Sequence, residues 1–384
     1  MKGVSSPMHC VVNKNALLNL INNVSRAVAT RTTKQILSGI LINLSSNTLI
    51  ATAYDLELGI QDELSVQTED PTFLQISEPG SIVLPARYFL DVIRKLPDEK
   101  VQIQTNSNYI TKIVSGHSEF HLHGIDASEF PKLPSFLSSN AFKVSSKKLR
   151  SLIESTVFAT SSSEVRPILT GLHVELNRDF LSFTATDGLR LATKKYPFEE
   201  VKNHTISAVL PGKSLNELAK ILPDSDEEVV LQLSEGHSLF IFGSMHVYTR
   251  LLSGAYPDTS RLIPSQWKTE LLINRSELLS AVDRAVLILR DKENNKVKME
   301  IQNNEMSMSS NSPEIGNVQE QLWINEKSGE DVQITFNGRY VLDALRNLES
   351  ETVTIRLNGS NQPFVILENQ ENGSLQLISP VLTR

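Results

Sequence analysis

The sequence holds a single cysteine, Cys10, in 384 residues. One thiol excludes an intrachain disulfide and any metal site built from several thiolates of one chain, and it fits a reducing compartment. Aromatic residues make up only 6% of the chain, and no apolar run approaches the ~18 residues that a membrane-spanning helix needs. The segment from Met1 to Val12 lacks the basic and apolar regions of a secretory leader, so a cytoplasmic protein is expected. Catalytic signatures are equally scarce. There is no glycine-rich phosphate loop, and no Ser or Cys nucleophile motif in a strand-turn-helix context. Thr186-Asp187-Gly188 reads as a turn before it reads as a catalytic aspartate, because Asp-Gly between apolar runs is foremost a turn signal. His117, His121 and His123 share one face of an expected strand, where a solvated face is the plainer reading and a zinc site the sharper one. No enzymatic activity, cofactor or resident metal is expected. A basic excess is missing too. With 37 Lys and Arg against 44 Asp and Glu, the net charge of −7 by itself argues against nucleic acid.

What the sequence does have is repetition. Three segments begin LPARYFLDVIRKLPDEKVQI at Leu84, LPGKSLNELAKILPDSDEEVVL at Leu210 and FNGRYVLDALRNLESETVTI at Phe336, at an equal interval of 126 residues. Their apolar residues fall in register at Phe89, Val92, Ile93, Leu96, then Leu215, Leu218, Ala219, Leu222, then Val341, Ala344, Leu345, Leu348. That spacing is the stripe of an amphipathic helix. A second helix family precedes each, with stripes at Leu17, Leu20, Ile21, Val24, at Leu149, Leu152, Ile153, Thr156, and at Leu278, Ala281, Val282, Ala285. Short β-rich runs bounded by Gly, Asn and Asp start at Ile40, Leu172 and Val297. Each repeat reads as helix, strands, helix, strands. Glu129-Phe130-Pro131 and Ala255-Tyr256-Pro257 recur at the same interval, each ahead of a Pro- and Ser-bearing stretch that extends neither helix nor sheet interior. The expected domains are 1–137, 138–265 and 266–384, three copies of an α+β unit.

Charge is segregated within this frame. The six helix windows (15–28, 86–96, 146–157, 213–222, 275–290 and 338–347) carry 14 basic and six acidic residues, which leaves 23 basic and 38 acidic elsewhere. Arg87 and Arg94 lie roughly opposite the apolar stripe of their helix, and Lys213 with Lys220 and Arg339 with Arg346 occupy the same two offsets later. An acid recurs on that face as Asp91, Glu217 and Asp343. A solvated helix face is the plain reading of such a pattern; recurrence in three repeats of an acidic protein favours a shared basic surface.

The repeats, Thr186-Asp187-Gly188-x-Arg190-Leu191, Tyr256-Pro257-Asp258, Phe336-Asn337-x-x-Tyr340-Val341-Leu342-Asp343-Ala344-Leu345 and Ile378-Ser379-Pro380-Val381, taken in order, resemble the bacterial DNA polymerase III β subunit family, the sliding clamps. The resemblance covers essentially the whole chain. It implies a head-to-tail homodimeric ring of six domains, with helices lining the hole and antiparallel sheets outside, around duplex DNA. Twelve helices about 9 Å apart enclose a circle of roughly 34 Å between axes, or about 24 Å once helix radii are subtracted, wide enough for a duplex. The basic residues expected to face DNA are Arg31, Arg87, Arg94, Lys148, Arg150, Lys213, Lys220, Arg275, Arg339 and Arg346. The resemblance further implies a groove for short peptide motifs of the polymerase III α subunit, the clamp loader, other polymerases and repair proteins. Its lining would be Leu169, Thr186, Gly188, Arg190, Leu191, Pro257, Arg261, Leu262, Asn337, Tyr340, Leu377, Ile378, Ser379, Pro380 and Val381. The dimer joint would use Phe120 and Leu122 of one chain and Leu287 and Ile288 of the other.

This chain departs from the family pattern at Gln35, where proline is usual although Pro167 keeps it in the second repeat, and at Leu189 and Leu382, where some members carry histidine and arginine. These departures bear on peptide preference and leave open a second, specialised clamp copy. A repeat scaffold that binds proteins but not DNA, and a metal-dependent nucleic-acid enzyme using the three histidines, are the alternative readings.

Overall fold

The structure is a computed structural model that describes residues 7–70, 72–136, 141–177, 179–197, 205–289, 295–368 and 373–382. The boundary expected at 137/138 and the last residue of the helix window 275–290 lie outside the described residues. Two compact units emerge, one of Met1–Lys147 with Lys220–Leu251, the other of Lys148–Ala219 with Leu252–Arg384.

The first unit opens with β1 (Met8–Asn13), α1 (Lys14–Val24), β2 (Gly39–Leu44), β3 (Thr48–Tyr54), β4 (Leu58–Ser65), β5 (Leu74–Glu78) and β6 (Gly80–Pro85). Next come α2 (Ala86–Lys95), β7 (Lys100–Thr105), β8 (Ile110–Ser115), β9 (Ser118–His123) and β10 (Ala141–Ser145). Through α3 (Ser146–Glu154) the chain passes into the second unit, forming β11 (Gly171–Leu176), β12 (Phe180–Thr186), β13 (Arg190–Pro197) and β14 (Ile206–Pro211). It returns through α4 (Gly212–Ile221) to the first for β15 (Glu228–Leu233), β16 (His237–Phe242) and β17 (Met245–Arg250). The rest lies in the second unit. It runs β18 (Thr269–Asn274), α5 (Arg275–Val286), β19 (Lys296–Gln302), β20 (Glu305–Ser312), β21 (Gly316–Trp323) and β22 (Glu326–Gly329). It ends with β23 (Val332–Asn337), α6 (Gly338–Arg346), β24 (Thr352–Leu357), β25 (Phe364–Glu368) and β26 (Leu375–Ile378).

The apolar stripes read from the sequence are the residues the helices bury; of the 24 positions only Val92 is half-buried instead of buried. Strand order in the first unit is β5-β1-β7-β8-β9 in one sheet and β10-β15-β16-β17-β4-β3-β2-β6 in the other. The second unit has β14-β11-β12-β13-β26-β25-β24-β18-β22 and β21-β20-β19-β23. The larger sheet of each unit therefore joins strands of two neighbouring repeats, through the antiparallel pairs β4 with β17 and β13 with β26. Backbone hydrogen bonds across those pairs explain why the compact units cut across the middle repeat.

Two local features differ from the sequence reading. A strand directly precedes each helix, so its last residue becomes the helix cap: Asn13 accepts from Asn15 N and Ala16 N, Asn274 from Glu277 N, and Asn337 from Arg339 N. The first helix of the first two repeats also ends earlier than the expected windows 15–28 and 146–157, at Val24 and Glu154. Ser25 Oγ donates to Ile21 O at 2.6 Å, sharing it with the Ser25 N–H, and Thr156 Oγ1 takes Leu152 O at 2.6 Å while its own N–H turns to Ile153 O at 3.1 Å. Gln35 opens a short 3-10 turn (Gln35–Ser38) as Pro167 opens the equivalent one (Pro167–Thr170), so that departure leaves the local fold intact.

Replacing the capping residue of α5, Asn274→Ala, is expected to destabilise that helix by about 1 kcal/mol. Faster amide hydrogen exchange in the first turns of α5, with the amides of β24 and β25 unchanged, is the measurement that checks it.

Candidate functional site

Among the basic residues, Arg31, Arg87, Arg94, Lys148, Lys213, Lys220, Arg339 and Arg346 are exposed. Several are already engaged: Arg94 pairs with Asp91 at 3.5 Å, Arg150 with Glu154 at 3.0 Å, and Arg346 with Asp283 at 2.9 Å. Exposed pairs of this kind are weak and salt-sensitive, and leave the arginines available to a phosphate. Arg275 is different. It is half-buried, with Nε donating to Ser350 O at 2.8 Å and Nη1 to Leu345 O at 3.1 Å, so its guanidinium satisfies carbonyls at and beyond the end of α6. That gives Arg275 a structural task in addition to any attraction for DNA.

In the second unit, the residues expected of a peptide groove gather around the turn between β12 and β13. Thr186 Oγ1 donates to Arg190 O at 2.6 Å and accepts from Gly188 N at 3.1 Å. Gly188 sits at φ 93°, a conformation strained for any residue with a Cβ. Asp187 Oδ1 accepts from Leu189 N at 2.9 Å and Arg190 N at 3.1 Å, which makes this aspartate a turn former, as its Asp-Gly context indicates.

Arg190 organises the neighbourhood. Its side chain is 12% exposed, with Nε on Asp187 Oδ2 at 3.0 Å, Nη1 on Asp343 Oδ2 at 2.7 Å and Nη2 on Phe158 O at 2.7 Å. The guanidinium carbon lies 4.5 Å from the Tyr340 ring centroid and 5.6 Å from that of Phe158. Planar Arg with bonds in three directions is a rigid wall for a pocket. Asp343, the acid that interrupts the basic face of α6, is thereby accounted for, as is Asp91 through Arg94 in α2.

Strand pairing sets the other walls. Arg190 stands opposite Ile378 and Leu191 opposite Leu377, while Leu191, Val365 and Leu377 form a small core joined by Ile263 and Trp267. The last described segment is held down by Ser379 N donating to Leu189 O at 2.9 Å, a bridge between Pro380 and Phe336, and Val381 N donating to Thr335 O at 2.7 Å. Tyr256 closes the turn side: its hydroxyl accepts from Thr186 N at 3.0 Å and its ring stacks on His173 at 5.2 Å. Burial pushes the phenol up to about 12, offset in part by that N–H, so it stays a neutral acceptor.

Leu169, Thr186, Leu191, Leu377 and Ile378 are buried, whereas Leu189, Leu262 and Leu382 are 56%, 49% and 67% exposed. Leu169 and Leu191 thus belong to the packed interior, and the exposed leucines are the groups a ligand would meet. Pro257 and Arg261 are exposed, with Arg261 on Asp258 at 3.1 Å; Asn337 is engaged in capping α6. Sequence reasoning missed Asp187, Asp343, Phe158 and Tyr256 as supports of the site. The signal for the two acids was present, since a buried arginine needs anionic partners.

Of the joint residues, Phe120 is 38% exposed and Leu122 half-buried on β9, the last strand of its sheet; Leu287 is 75% exposed and Ile288 half-buried just past α5. Among the described residues no group of three or more His, Cys, Asp or Glu is arranged for a metal ion. His121 instead approaches Glu119 at 3.5 Å, which also pairs with Lys112 at 2.8 Å. No helix among the described residues is long and apolar enough to cross a membrane.

Family models for the DNA polymerase III beta subunit match along the chain: the N-terminal domain over residues 8–134, the central domain over 143–258 and the C-terminal domain over 260–382. The chain is 38% identical over 376 residues to a beta sliding clamp of Staphylococcus epidermidis, covering 98% of this chain and all of that one. The crystal structure of the Bacillus subtilis DNA polymerase sliding clamp is similar, with a TM-score of 0.95 and 40% identity over 99% of this chain and 100% of that one. The beta subunit of Streptococcus pyogenes DNA polymerase follows at a TM-score of 0.92 and 34% identity over 98% of this chain and 100% of that one. With three successive family domains, in order and over nearly its full length, the chain belongs to the DNA polymerase III beta subunit family, the bacterial beta sliding clamps.

Proposed function

We propose that this protein is a non-enzymatic sliding clamp, a homodimeric ring that encircles duplex DNA and tethers the replicative polymerase and other replication and repair proteins. The full-length family match carries that reading. The exposed basic residues at matching offsets in the three repeats support it. A ring linked around DNA cannot leave sideways, so it needs only weak, non-specific phosphate contacts and slides freely. Arg87, Arg94, Lys213, Lys220, Arg339 and Arg346 supply such contacts from the polar faces of α2, α4 and α6, and Arg31, Lys148 and Arg150 add to them. The acidic remainder of the surface keeps the duplex from binding elsewhere. The domains follow the repeat boundaries at 1–137, 138–265 and 266–384, and a cytoplasmic location fits both the family and the lone buried cysteine.

The groove around Arg190 takes short linear peptides. Exposed Leu262, Leu189 and Leu382 offer apolar contact, Tyr340 and Arg190 a rigid wall, and the turn at Gly188 and the segment Ser379 to Val381 backbone groups for orientation. The leucines at 189 and 382 give this clamp a more apolar rim than relatives with histidine or arginine there, which favours peptides with apolar side chains at the corresponding positions.

After loading onto nicked circular DNA by a compatible clamp loader, the protein should stay on the circles through gel filtration and run off when the circles are linearised; equal retention on both forms would refute encirclement. Leu262→Asp should weaken binding of a polymerase-derived motif peptide at least about tenfold by fluorescence anisotropy while retention on circles is unchanged. A parallel loss of both would assign Leu262 to the fold instead of the groove.

A further inference from the structure

The repeats place three strands in equivalent positions. β4, β13 and β21 each pair with the preceding strand of their repeat, with Ala51 opposite Asp62, Phe183 opposite Lys194 and Met308 opposite Glu320. An ionisable residue therefore recurs at one register, and in each case it bonds a side chain from the first helix of its repeat or the residue just past that helix. Asp62, 5% exposed, accepts from Asn23 Nδ2 at 3.0 Å. Lys194, 3% exposed, donates to Ser151 Oγ at 2.7 Å and Ser155 Oγ at 3.4 Å. Glu320, its side chain 17% exposed, accepts from Arg284 Nε at 2.8 Å and Nη2 at 2.6 Å, and these two bonds hold its carboxyl below the usual range.

The first two of these strands are covered by a strand from the next repeat, in the same register: Ile60 stands opposite Val247, and Ala192 opposite Gln376. The hairpin that delivers the covering strand also brings a complement to the buried charge. Ser244 Oγ, in the turn before β17, donates to Asp62 Oδ1 at 2.7 Å; Glu368, at the end of β25, is drawn down against the cost of its burial by the N–H groups of Ser374 and Glu349, with the charge of Lys194 adding to them. β21 is the last strand of its sheet, and so is β9, which corresponds to β17 because Ile113 stands opposite Phe120 as Phe240 stands opposite Val247. Burial shows the joint left open. Val247 and Gln376 are 1% exposed, and Phe120, at the equivalent position, is 38% exposed.

On the ring reading above, protomers close edge to edge, β9 of one on β21 of its partner in the register of the two internal joints; resting on that reading, we propose that His117 bonds the partner's Glu320, making ring closure pH-sensitive. Phe120 then stands opposite the partner's Val318, His121 opposite the partner's Asn317 and Leu122 opposite the partner's Gly316. His117 takes the place of Ser244: each follows a left-handed glycine in the hairpin turn, Gly116 at φ 54° and Gly243 at φ 52°. The charged groups on the same hairpin as His117 are Glu119 and His121 of β9 and Lys112 of β8, with Glu119 paired to the other two, and Asp98 lies against the neighbouring Gly116. From the partner it faces Glu320, with Arg284 and Asp283 of α5 behind. Arg284 takes one lone pair of each Glu320 oxygen and leaves the others to accept from the imidazole. An imidazole that gains a carboxylate on closure binds its proton more tightly in the ring than in the open protomer. Closure is therefore strengthened below the imidazole range and that gain is lost as pH rises through it.

The test measures dimer dissociation of the full chain by subunit-exchange fluorescence at constant ionic strength between about pH 5.5 and 8.5. We expect dissociation to be about tenfold weaker per joint at the acid end, roughly a hundredfold for a ring of two joints. His117→Gln should remove that slope, His121→Gln should keep it, and a His117→Gln/Glu320→Gln cycle should show coupling at low pH only. A slope that survives His117→Gln, or disappears in His121→Gln, overturns the proposed joint while leaving the ring intact. A wild-type chain that is monomeric across the whole range overturns the ring reading itself.

Discussion

Unpaired backbone N–H and C=O groups along a strand edge need partners, and in this chain the need is met by the neighbouring repeat. β4 receives β17 and β13 receives β26, so that sheets which would end at each repeat continue into the next. The polar details follow from that continuity. The charges buried at Asp62 and Lys194 are held by side chains of their own repeat, and at Asp62 the covering hairpin adds Ser244. The first joint thus adds one side-chain hydrogen bond to the backbone pairing, and the second places the carboxylate of Glu368 within the electrostatic reach of Lys194.

The proposed peptide groove lies beside the second joint. Arg190 begins β13, stands opposite Ile378 of β26, and reaches from there to Asp343 on α6. Its guanidinium is held by two carboxylates, a carbonyl and two aromatic faces, so the wall it makes is rigid before any ligand arrives. Preorganisation of this sort lowers the entropy lost when a short flexible peptide binds. The exposed leucines at 189, 262 and 382 then supply contact area, and the buried ones at 169, 191 and 377 keep the frame in place.

Helices were legible in the sequence because their apolar residues obey a local period and because the period recurs three times; all six stripes are the residues that pack. The turn at Asp187-Gly188 was legible for a similar reason, since its chemistry lies within four residues. Strand partners were not. The pairing of β13 with β26 joins residues nearly two hundred positions apart, and no local pattern in either strand announces it. Lys194 and Asp62 were invisible for the same reason: charged residues in a strand read as solvent-facing until the covering hairpin is known. The groove members came from resemblance, but their division into packed frame and exposed rim, and the supporting tasks of Asp343, Phe158 and Tyr256, required coordinates.

The passage of the chain through α3 into one unit and back through α4 into the other also bears on how such a protein can change over evolutionary time. Residues 148–219 and 220–251 belong to different compact units because the middle repeat gives one strand to each neighbour, β17 to the first repeat and β13 to the third. Loss of the middle repeat would remove β17 and β13 together and leave β4 and β26, their former partners, each needing a new strand. A change in repeat number therefore has to restore two sheet joints, whereas side chains and loops away from those edges vary without that cost.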